Sequence, residues 1–149
     1  MEDAMTLLFV YGTLKQGYGN SHHLKGAQFM GNAISIENNF VMQDVGFPTL
    51  WQIDLSDKTE EEDGGVPLFG QVIGEIYQIN PRQLASCDRL ESNGRMYTRA
   101  ERQFKITKRG GMVVTAWVYL WNLDQDNDQI EPVDGTLIWD RGQRRKRAG

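Results

Sequence analysis

Residue types that build metal sites and disulfides are scarce in this sequence. It contains a single cysteine, Cys87, and two adjacent histidines, His22 and His23. One cysteine excludes an intrachain disulfide framework and a cysteine-based zinc cluster. Neighbouring histidines point apart on a helix or a strand, and there is no third histidine to complete a metal site. We therefore interpret His22 and His23 as part of a helix cap or a surface helix, and Cys87 as a buried structural thiol.

Long apolar runs are also missing. Of the 149 residues, 40% are hydrophobic and 10% are aromatic, which is enough for the core of one domain. No apolar run approaches the roughly 20 residues of a membrane-spanning helix. The first residues, MEDAM, are acidic, whereas a signal peptide begins with basic residues. We expect a cytoplasmic protein with no membrane partner.

Basic residues are few in the body of the chain and concentrated at its end. The last nine residues, RGQRRKRAG, hold five of the 16 basic residues and none of the 20 acidic ones. Residues 1–140 therefore carry a net charge of −9, which is not typical of a nucleic-acid-binding domain. We predict one domain over 1–140 with no specific nucleic-acid partner. Residues 141–149 are predicted to form a disordered basic tail that makes at most a weak, salt-sensitive contact with an anionic surface.

Most of the remaining pattern predicts strands. Apolar runs or alternating stretches occur at 7–11, 33–37, 40–42, 50–53, 66–79, 100–107 and 112–121. Asn38-Asn39 and the segment 108–111, which ends in two glycines, are predicted to be hairpin turns. The acidic segment 57–65 is predicted to be a solvated loop.

One helix is clearly predicted. Asn80 is a good N-cap and Pro81 fits the first helical position, while Leu84, Cys87 and Leu90 form an apolar stripe. A second, short helix is predicted from Asn20 or Ser21 to about Gly26. Many strands and few helices indicate an α+β fold with a curled, mostly antiparallel sheet or a small barrel and few flanking helices.

Common cofactor motifs do not occur. Gly12, Gly17 and Gly19 do not match the dinucleotide pattern, and no phosphate-binding GK[ST] follows. Asp124, Asp126 and Asp128 imitate the start of a calcium loop, but the sixth and twelfth positions hold Gln129 and Gly135, where that loop needs glycine and glutamate. We interpret this segment as a polar turn, and we predict no cofactor and no metal.

Three segments carry a resemblance when they are taken together. The first is FVYGTL at 9–14 and the second is GFPTL at 46–50. The third runs through GQVIGEIY at 70–77, DRLE at 88–91 and MYTR at 96–99. Their order and spacing resemble the γ-glutamylcyclotransferase-like superfamily, which includes the AIG2-like proteins and the γ-glutamylamine cyclotransferases. The resemblance covers about residues 6–121.

The resemblance implies a barrel-like sheet with flanking helices and a set of site residues. It implies that Glu91 is the catalytic acid/base and that Tyr97 lies near the pocket. Arg99 is interpreted either as the partner of a strand carboxylate or as a ligand of the substrate carboxylate. The substrate loop, which binds the γ-glutamyl group largely through backbone amides, consists of Tyr11, Gly12, Thr13 and Leu14.

The implied reaction is the conversion of a γ-glutamyl amine or γ-glutamyl amino acid into 5-oxoproline and a free amine. The α-amine of such a small-molecule substrate attacks its own side-chain carbonyl, so the ring closure needs only a base and an acid. A free glutamate, with a pKa near 4.3, is a poor base for an amine with a pKa of roughly 8. We expect the pKa of Glu91 to be raised by burial and by the C-terminal end of the predicted helix.

Two features qualify this interpretation. Ser92 follows Glu91 where members of the family often have glycine. A non-catalytic protein that binds a small amino-acid-like ligand on the same fold is the alternative, because a fold does not determine a function. The presence of Glu91 favours the enzyme.

Overall fold

The computed structural model of the protein describes residues 5–12, 24–44, 48–53, 69–91, 94–108, 110–122, 128–139 and 145–146. Within these ranges the chain forms one α-helix and ten strands. In chain order the elements are β1 (Thr6–Val10), β2 (Gln28–Ser35), β3 (Phe40–Asp44), β4 (Pro48–Gln52), β5 (Gln71–Ile79), α1 (Pro81–Leu90), β6 (Tyr97–Ile106), β7 (Val113–Trp121), β8 (Asp128–Ile130), β9 (Thr136–Leu137) and β10 (Arg145–Lys146).

Five strands close into a barrel. They are hydrogen-bonded in the order β1, β7, β6, β2 and β5, and β5 pairs again with β1. The contact between β1 and β7 is parallel, and the remaining barrel contacts are antiparallel. Closure leaves no free edge among these strands. The predicted fold class, an α+β fold with a curled, mostly antiparallel sheet or small barrel, is confirmed.

The interior of the barrel forms the larger apolar core. All five barrel strands contribute to it, and the rings of Phe9 and Phe104 stack with centroids 4.0 Å apart. Gly74 lies where β5 meets β1, and a Cβ there would lie 2.7 Å from the ring of Phe9 and would also meet the carbonyl oxygen of Val10. A side chain at this position would therefore push the two strands apart.

A second sheet extends this core. Its strands follow the order β10, β8, β3 and β4, and β4 also packs against β7. The buried side chains of Phe40, Met42, Leu50 and Ile130 join the barrel interior in one cluster. The N-terminal end of β4 is thereby held close to the barrel.

Helix α1 lies on the outer face of the barrel. Asn80 caps it as predicted, since its side chain accepts a hydrogen bond from the Gln83 amide at 2.8 Å while the Gln83 side chain accepts one from the Asn80 amide at 2.9 Å. Pro81 is the first helical residue. Of the predicted apolar stripe, Cys87 is fully buried, and Leu84 and Leu90 are half-buried against the same outer cluster.

The predicted strands are largely confirmed, but the turn at Asn38-Asn39 is wrong. β2 pairs with β5 and β6, whereas β3 pairs with β4 and β8, so the segment crosses from the barrel to the second sheet. Asn39 instead extends the β3–β4 ladder, because its side-chain amide donates to the Ile53 carbonyl at 2.8 Å and its own carbonyl accepts from the Ile53 amide at 3.0 Å. Two asparagines between apolar runs are equally compatible with a hairpin and with a crossover.

Strand bounds also shift. β2 begins at Gln28 rather than at residue 33, and it buries Ala33 and Ser35 while Ile36 beyond its end is 44% exposed. β5 begins at Gln71, and the residues before 69 that were predicted to continue it lie outside the described ranges. The acidic loop predicted at 57–65 also lies outside these ranges, as do residues 20–23 of the predicted short helix and residues 124–127 of the predicted polar turn. The described end of that helix, residues 24–26, forms a turn closed by the Ala27 amide on the Leu24 carbonyl, and Asp128 is the first residue of β8. Of the basic tail, the structure describes only Arg145 and Lys146, which pair with β8.

Candidate active site

The site lies where the ends of several elements converge. β1 runs into Tyr11 and Gly12, α1 ends at Leu90 with Glu91 as its C-cap, and β6 begins at Tyr97. Two further ends join them, because the Tyr97 hydroxyl donates a hydrogen bond to the Pro48 carbonyl at the start of β4, and Tyr97 lies opposite Trp121 at the end of β7. The predicted catalytic residue, Glu91, and the predicted substrate-binding residues Tyr11, Gly12 and Tyr97 therefore come together from distant parts of the chain.

Glu91 is the C-cap of α1. Its backbone amide donates to the Cys87 carbonyl at 2.9 Å, which continues the last turn of the helix up to this residue. Burial raises the pKa of the Glu91 carboxyl to about 7. This shift agrees with the direction expected from the sequence, and a carboxyl with such a pKa exchanges its proton readily near neutral pH.

Tyr11 is buried, and it is near enough to Glu91 for the charge of that carboxylate to affect its pKa. Its hydroxyl donates a hydrogen bond to the Tyr119 carbonyl at 2.5 Å. Burial, together with the charges of Tyr97 and Glu91, raises the pKa of Tyr11 well above its ordinary value. Tyr11 thus remains protonated, and it ties the beginning of the predicted substrate loop to β7.

Tyr97, the first residue of β6, is the other buried tyrosine near Glu91. Its ring packs edge-on against Trp121 with centroids 4.9 Å apart, and its hydroxyl is engaged by Pro48 at 2.9 Å. Burial and the charge of Glu91 raise the pKa of Tyr97 above its usual range. Both tyrosines are therefore neutral hydrogen-bond donors, and Glu91 is the group of the three that can exchange a proton near neutral pH.

Gly12 packs directly against Pro48. A Cβ at Gly12 would lie 2.6 Å from Cγ of Pro48, so glycine is required for the chain to pass between β1 and β4 at this point. Pro48 belongs to the GFPTL segment of the sequence. The GFPTL and YGTL segments, which are far apart in the chain, are therefore in direct contact in the fold. Thr13 and Leu14, the rest of the predicted substrate loop, lie outside the described residues.

Arg99 is paired with a carboxylate of the protein. Its Nε donates to Oδ1 of Asp88 at 2.9 Å and its Nη2 donates to Oδ2 at 3.2 Å. Its guanidinium also lies 4.2 Å above the ring centre of Trp117. This geometry does not support a contact with the substrate carboxylate. The partner of Arg99 is a helix residue, whereas the sequence suggested a strand residue.

Three residues at this end of the fold were not singled out from the sequence. Asp88 is part of the DRLE segment, and its position three residues before Glu91 places both on one side of the helix. Pro48 lies within GFPTL. Tyr119, whose hydroxyl donates to Asp88 at 2.6 Å, belongs to no motif. The only signal for Tyr119 was its alternation with Trp117 and Trp121 along a strand.

The described ranges form neither a metal-ion site nor a membrane-spanning helix. No group of three His, Cys, Asp or Glu side chains comes together there in a way that could hold a metal ion. No helix in this part of the chain has the length and apolar character to cross a membrane.

Comparison with known proteins gives a consistent result. The Gamma-glutamylcyclotransferase family protein YtfP of Escherichia coli K12 is 32% identical over 135 residues, which cover 91% of this chain and 92% of that protein. Gamma-glutamylaminecyclotransferase A of Danio rerio is 31% identical over 119 residues, which cover 75% of this chain and 66% of that protein. The crystal structure of an AIG2-like protein from Mus musculus superimposes with a TM-score of 0.62 at 25% identity, covering 81% of this chain and 80% of that one.

A family model extends the resemblance found in the sequence. The model described as "Gamma-glutamyl cyclotransferase, AIG2-like" matches residues 8–141. This range begins in β1 and includes Tyr11, Gly12, Glu91 and Tyr97. The chain belongs to the γ-glutamyl cyclotransferase, AIG2-like family, which is a family of enzymes.

Proposed function

We propose that the protein converts a γ-glutamyl amine or a γ-glutamyl amino acid into 5-oxoproline and the free amine, with Glu91 as the acid/base. The observation that carries the proposal is the half-buried carboxyl of Glu91 at the end of α1, whose pKa is raised to about 7 by burial and whose charge reaches Tyr11 and Tyr97. The names of the relatives support the γ-glutamyl class of substrate.

The proton balance of this reaction needs a single carboxyl. Glu91 accepts a proton from the α-ammonium, and the freed amine attacks the γ-carbonyl carbon of the same molecule to form the ring C–N bond. Glu91 then returns the proton to the leaving nitrogen as the original amide C–N bond breaks. The ring nitrogen loses a second proton as it becomes the lactam amide, and the released amine takes up this proton and leaves as an ammonium ion. The substrate supplies both the nucleophile and the leaving group, so water and a redox partner take no part in the balance.

The raised pKa improves the first of these steps. Each unit of mismatch between base and ammonium makes the proton transfer less favourable by about 1.4 kcal/mol. With a pKa of about 7, Glu91 lies roughly one unit below an α-amine of pKa near 8, whereas an ordinary glutamate lies more than about three units below it. Burial of Glu91 therefore removes several kcal/mol from the cost of forming the nucleophile.

The substrate loop is proposed to consist of residues 11–14. The strand before it is fixed by the barrel, and Tyr11 and Gly12 are fixed by contacts with Tyr119 and Pro48. Successive amides after a strand and a glycine are suited to hold a carboxylate or a developing oxyanion. Tyr97 is proposed as a wall of the pocket. Arg99 is not given a substrate contact, because its Nε and Nη2 donors are engaged by Asp88.

The proposal assigns the activity to a domain over residues 1–140. It places the reaction in the cytoplasm, on a small molecule, and gives the tail at 141–149 no part in catalysis. The acidic body, with its charge of −9, makes nucleic acid an unsuitable partner for this domain.

The test uses the full chain and a panel of γ-glutamyl dipeptides and γ-glutamyl amines. 5-Oxoproline and the released amine are measured by mass spectrometry. We expect equimolar products from at least one substrate and a loss of about 100-fold or more in kcat for Glu91→Gln, which keeps the shape but not the proton exchange. Glu37→Gln, a matched change at a carboxylate in the segment between β2 and β3, serves as the control.

Two outcomes would overturn the proposal. One is the absence of product from the whole panel, and binding of a panel member without turnover would then favour the non-catalytic alternative. The other is equal product from the wild type and Glu91→Gln.

A further inference from the structure

Asp88 joins helix α1 to two barrel strands. Its Oδ1 accepts hydrogen bonds from Arg99 Nε at 2.9 Å and from the Tyr119 hydroxyl at 2.6 Å, and its Oδ2 accepts one from Arg99 Nη2 at 3.2 Å. The side chains of Arg99 and Asp88 are only 20% and 25% exposed. A bidentate, charge-assisted contact of this kind fixes direction as well as distance.

The two partners of Asp88 are themselves fixed. Arg99 on β6 and Tyr119 on β7 are directly opposite each other in the antiparallel ladder. The guanidinium of Arg99 rests on the ring of Trp117, 4.2 Å from its centre. Tyr119 also reaches the end of β1, because its carbonyl accepts the hydrogen bond of the Tyr11 hydroxyl. Asp88 is thus connected to the same strand end that begins the proposed substrate loop.

The apolar contacts of α1 are few. Cys87 is its one fully buried residue, and Leu84 and Leu90 are only half-buried. The charges of Glu91 and Asp88 both add to the burial that raises the pKa of the Cys87 thiol to about 12, so both carboxylates lie close to that thiol. The last turn of the helix therefore depends strongly on the polar contacts of Asp88.

We propose that Asp88 is a positioning residue that fixes the last turn of α1, and with it the Glu91 carboxyl, relative to the end of β1. Arg99 and Tyr119 hold Asp88 in place and balance its charge. Glu91 lies three residues after Asp88, and its amide bonds to Cys87 in the same turn, so a rotation or fraying of this turn displaces Glu91 directly. This role rests on the proposed function of Glu91.

The first test is kinetic. In Asp88→Asn, loss of the ion pair is expected to lower kcat by about 10- to 100-fold while KM changes by less than about threefold, because a small displacement of a reacting group affects the rate more than binding. Tyr119→Phe removes one hydrogen bond and leaves the ion pair, so it is expected to lower kcat less, by about three- to tenfold. It also serves as a second variant should Asp88→Asn fail to fold.

The pH profile separates positioning from a general loss of stability. Glu91 must be ionised to accept a proton, so kcat/KM of the wild type, which reports ionisation of the free enzyme, rises with pH through a midpoint of about 7. Loosening the last turn admits solvent to Glu91, and the midpoint is expected to move to lower pH in both variants. Arg102→Gln is the matched control, since Arg102 is also a β6 arginine, with Gln52 and Glu37 as partners. Its kcat and midpoint should equal those of the wild type.

A readout without substrate keeps this inference separate from the proposed function. Hydrogen exchange of the Glu91 amide, which bonds to Cys87, is expected to be faster in Asp88→Asn and in Tyr119→Phe than in the wild type. A wild type that forms no 5-oxoproline from any substrate would overturn the proposed function, while the exchange rates would still decide whether Asp88 fixes the turn. Wild-type exchange in both variants, or faster exchange with unchanged kcat, would overturn the positioning role of Asp88.

Discussion

The two faces of the barrel differ in chemistry as much as in position. The interior is apolar, and its largest rings, Phe9 and Phe104, stack directly on each other. The outer face under α1 buries tyrosine hydroxyls and a thiol, and ionisable groups such as Glu91 and Asp88 lie beside them. The same strands supply both faces, because successive side chains of a strand point to opposite sides. The comparison indicates that the interior supplies stability, while the ionisable groups proposed for the chemistry lie on the outer face; of the proposed site residues, Tyr11 belongs to the interior cluster.

The largest effect is expected from a substitution that changes only the barrel interior. Phe104→Ala removes the stacked partner of Phe9 and leaves a cavity in the core. We expect the free energy of unfolding to fall by about 3–5 kcal/mol. Urea denaturation followed by tryptophan fluorescence measures this change. In the fraction that remains folded kcat should be close to that of the wild type, and a large loss of kcat in fully folded protein would contradict the division of roles.

The second prediction concerns stability on the outer face. The pKa of Glu91 is about 7 in the folded protein and close to 4.5 in an unfolded chain, so the folded state binds the proton more tightly. Wild-type stability from this group is therefore present below about pH 4.5 and is lost as the pH rises through about 7, by up to about 3 kcal/mol. Glu91→Gln has no titrating carboxyl at this position, so it does not lose this stability as the pH rises.

Thermal unfolding of the two proteins from pH 4.5 to 8.5 tests this linkage. Glu91→Gln should have a higher Tm than the wild type at pH 8, and the difference should disappear towards pH 4.5. The expected result is opposite to that of Phe104→Ala, because one variant loses activity and gains stability while the other loses stability. Parallel pH curves for wild type and Glu91→Gln would show that burial does not raise the pKa of Glu91.

A smaller effect is expected at the contact between the loop and β4. In Gly12→Ala the new Cβ would lie 2.6 Å from Cγ of Pro48, so the start of the substrate loop must move. We expect kcat/KM to fall by about tenfold or more, since displaced contacts at a substrate loop weaken both binding and orientation. Steady-state kinetics of 5-oxoproline formation measure the loss.

The double variant Gly12→Ala/Pro48→Ala identifies the cause of that loss. It removes the ring atoms of Pro48 but keeps the carbonyl that accepts the Tyr97 hydrogen bond. Partial recovery of kcat/KM is expected. If the double variant is as impaired as Gly12→Ala alone, the steric account of Gly12 is wrong.

The smallest effect is expected from deletion of residues 141–149. Of this segment, Arg145 and Lys146 pair with β8 at the edge of the second sheet, away from the barrel strands that carry the site. We expect kcat to be unchanged and the free energy of unfolding to fall by less than about 1 kcal/mol. Kinetics and urea denaturation of the shortened chain check this, and a marked loss of kcat would give the tail a role in the site.

Local signals in the sequence predicted the parts of the fold that depend on local physics. The cap at Asn80, the proline at the first helical position and the glycine turn before β7 each determine the backbone over a few residues, and the structure has all three elements where they were expected. The strand pairing did not have such a signal. The parallel contact of β1 with β7 joins segments more than 100 residues apart in the chain, and nothing in either segment specifies its neighbour.

The candidate site likewise contains residues that a sequence motif identifies and residues whose role depends on contacts made only in the folded chain. Glu91 and the loop at residues 11–14 were predicted as site residues because they lie in motifs, and the upward shift expected for the Glu91 pKa agrees with the burial of this carboxyl. The engagement of Arg99 by Asp88 was not found, because the pair joins a helix to a strand across the outer face of the barrel. Tyr119 was missed for the same reason: its importance lies in contacts with Asp88 and Tyr11 that only the folded chain creates.

The most direct test of the central claim compares two titrations of Glu91. The carboxyl of Glu91 is labelled with ¹³C and followed by NMR in the substrate-free protein as a function of pH, and kcat/KM for 5-oxoproline formation is measured over the same range. We predict that both curves have a midpoint at about pH 7 and that the rise in kcat/KM is absent in Glu91→Gln. A carboxyl that titrates near 4.5, or a kcat/KM that rises with pH in Glu91→Gln as it does in the wild type, would contradict this prediction.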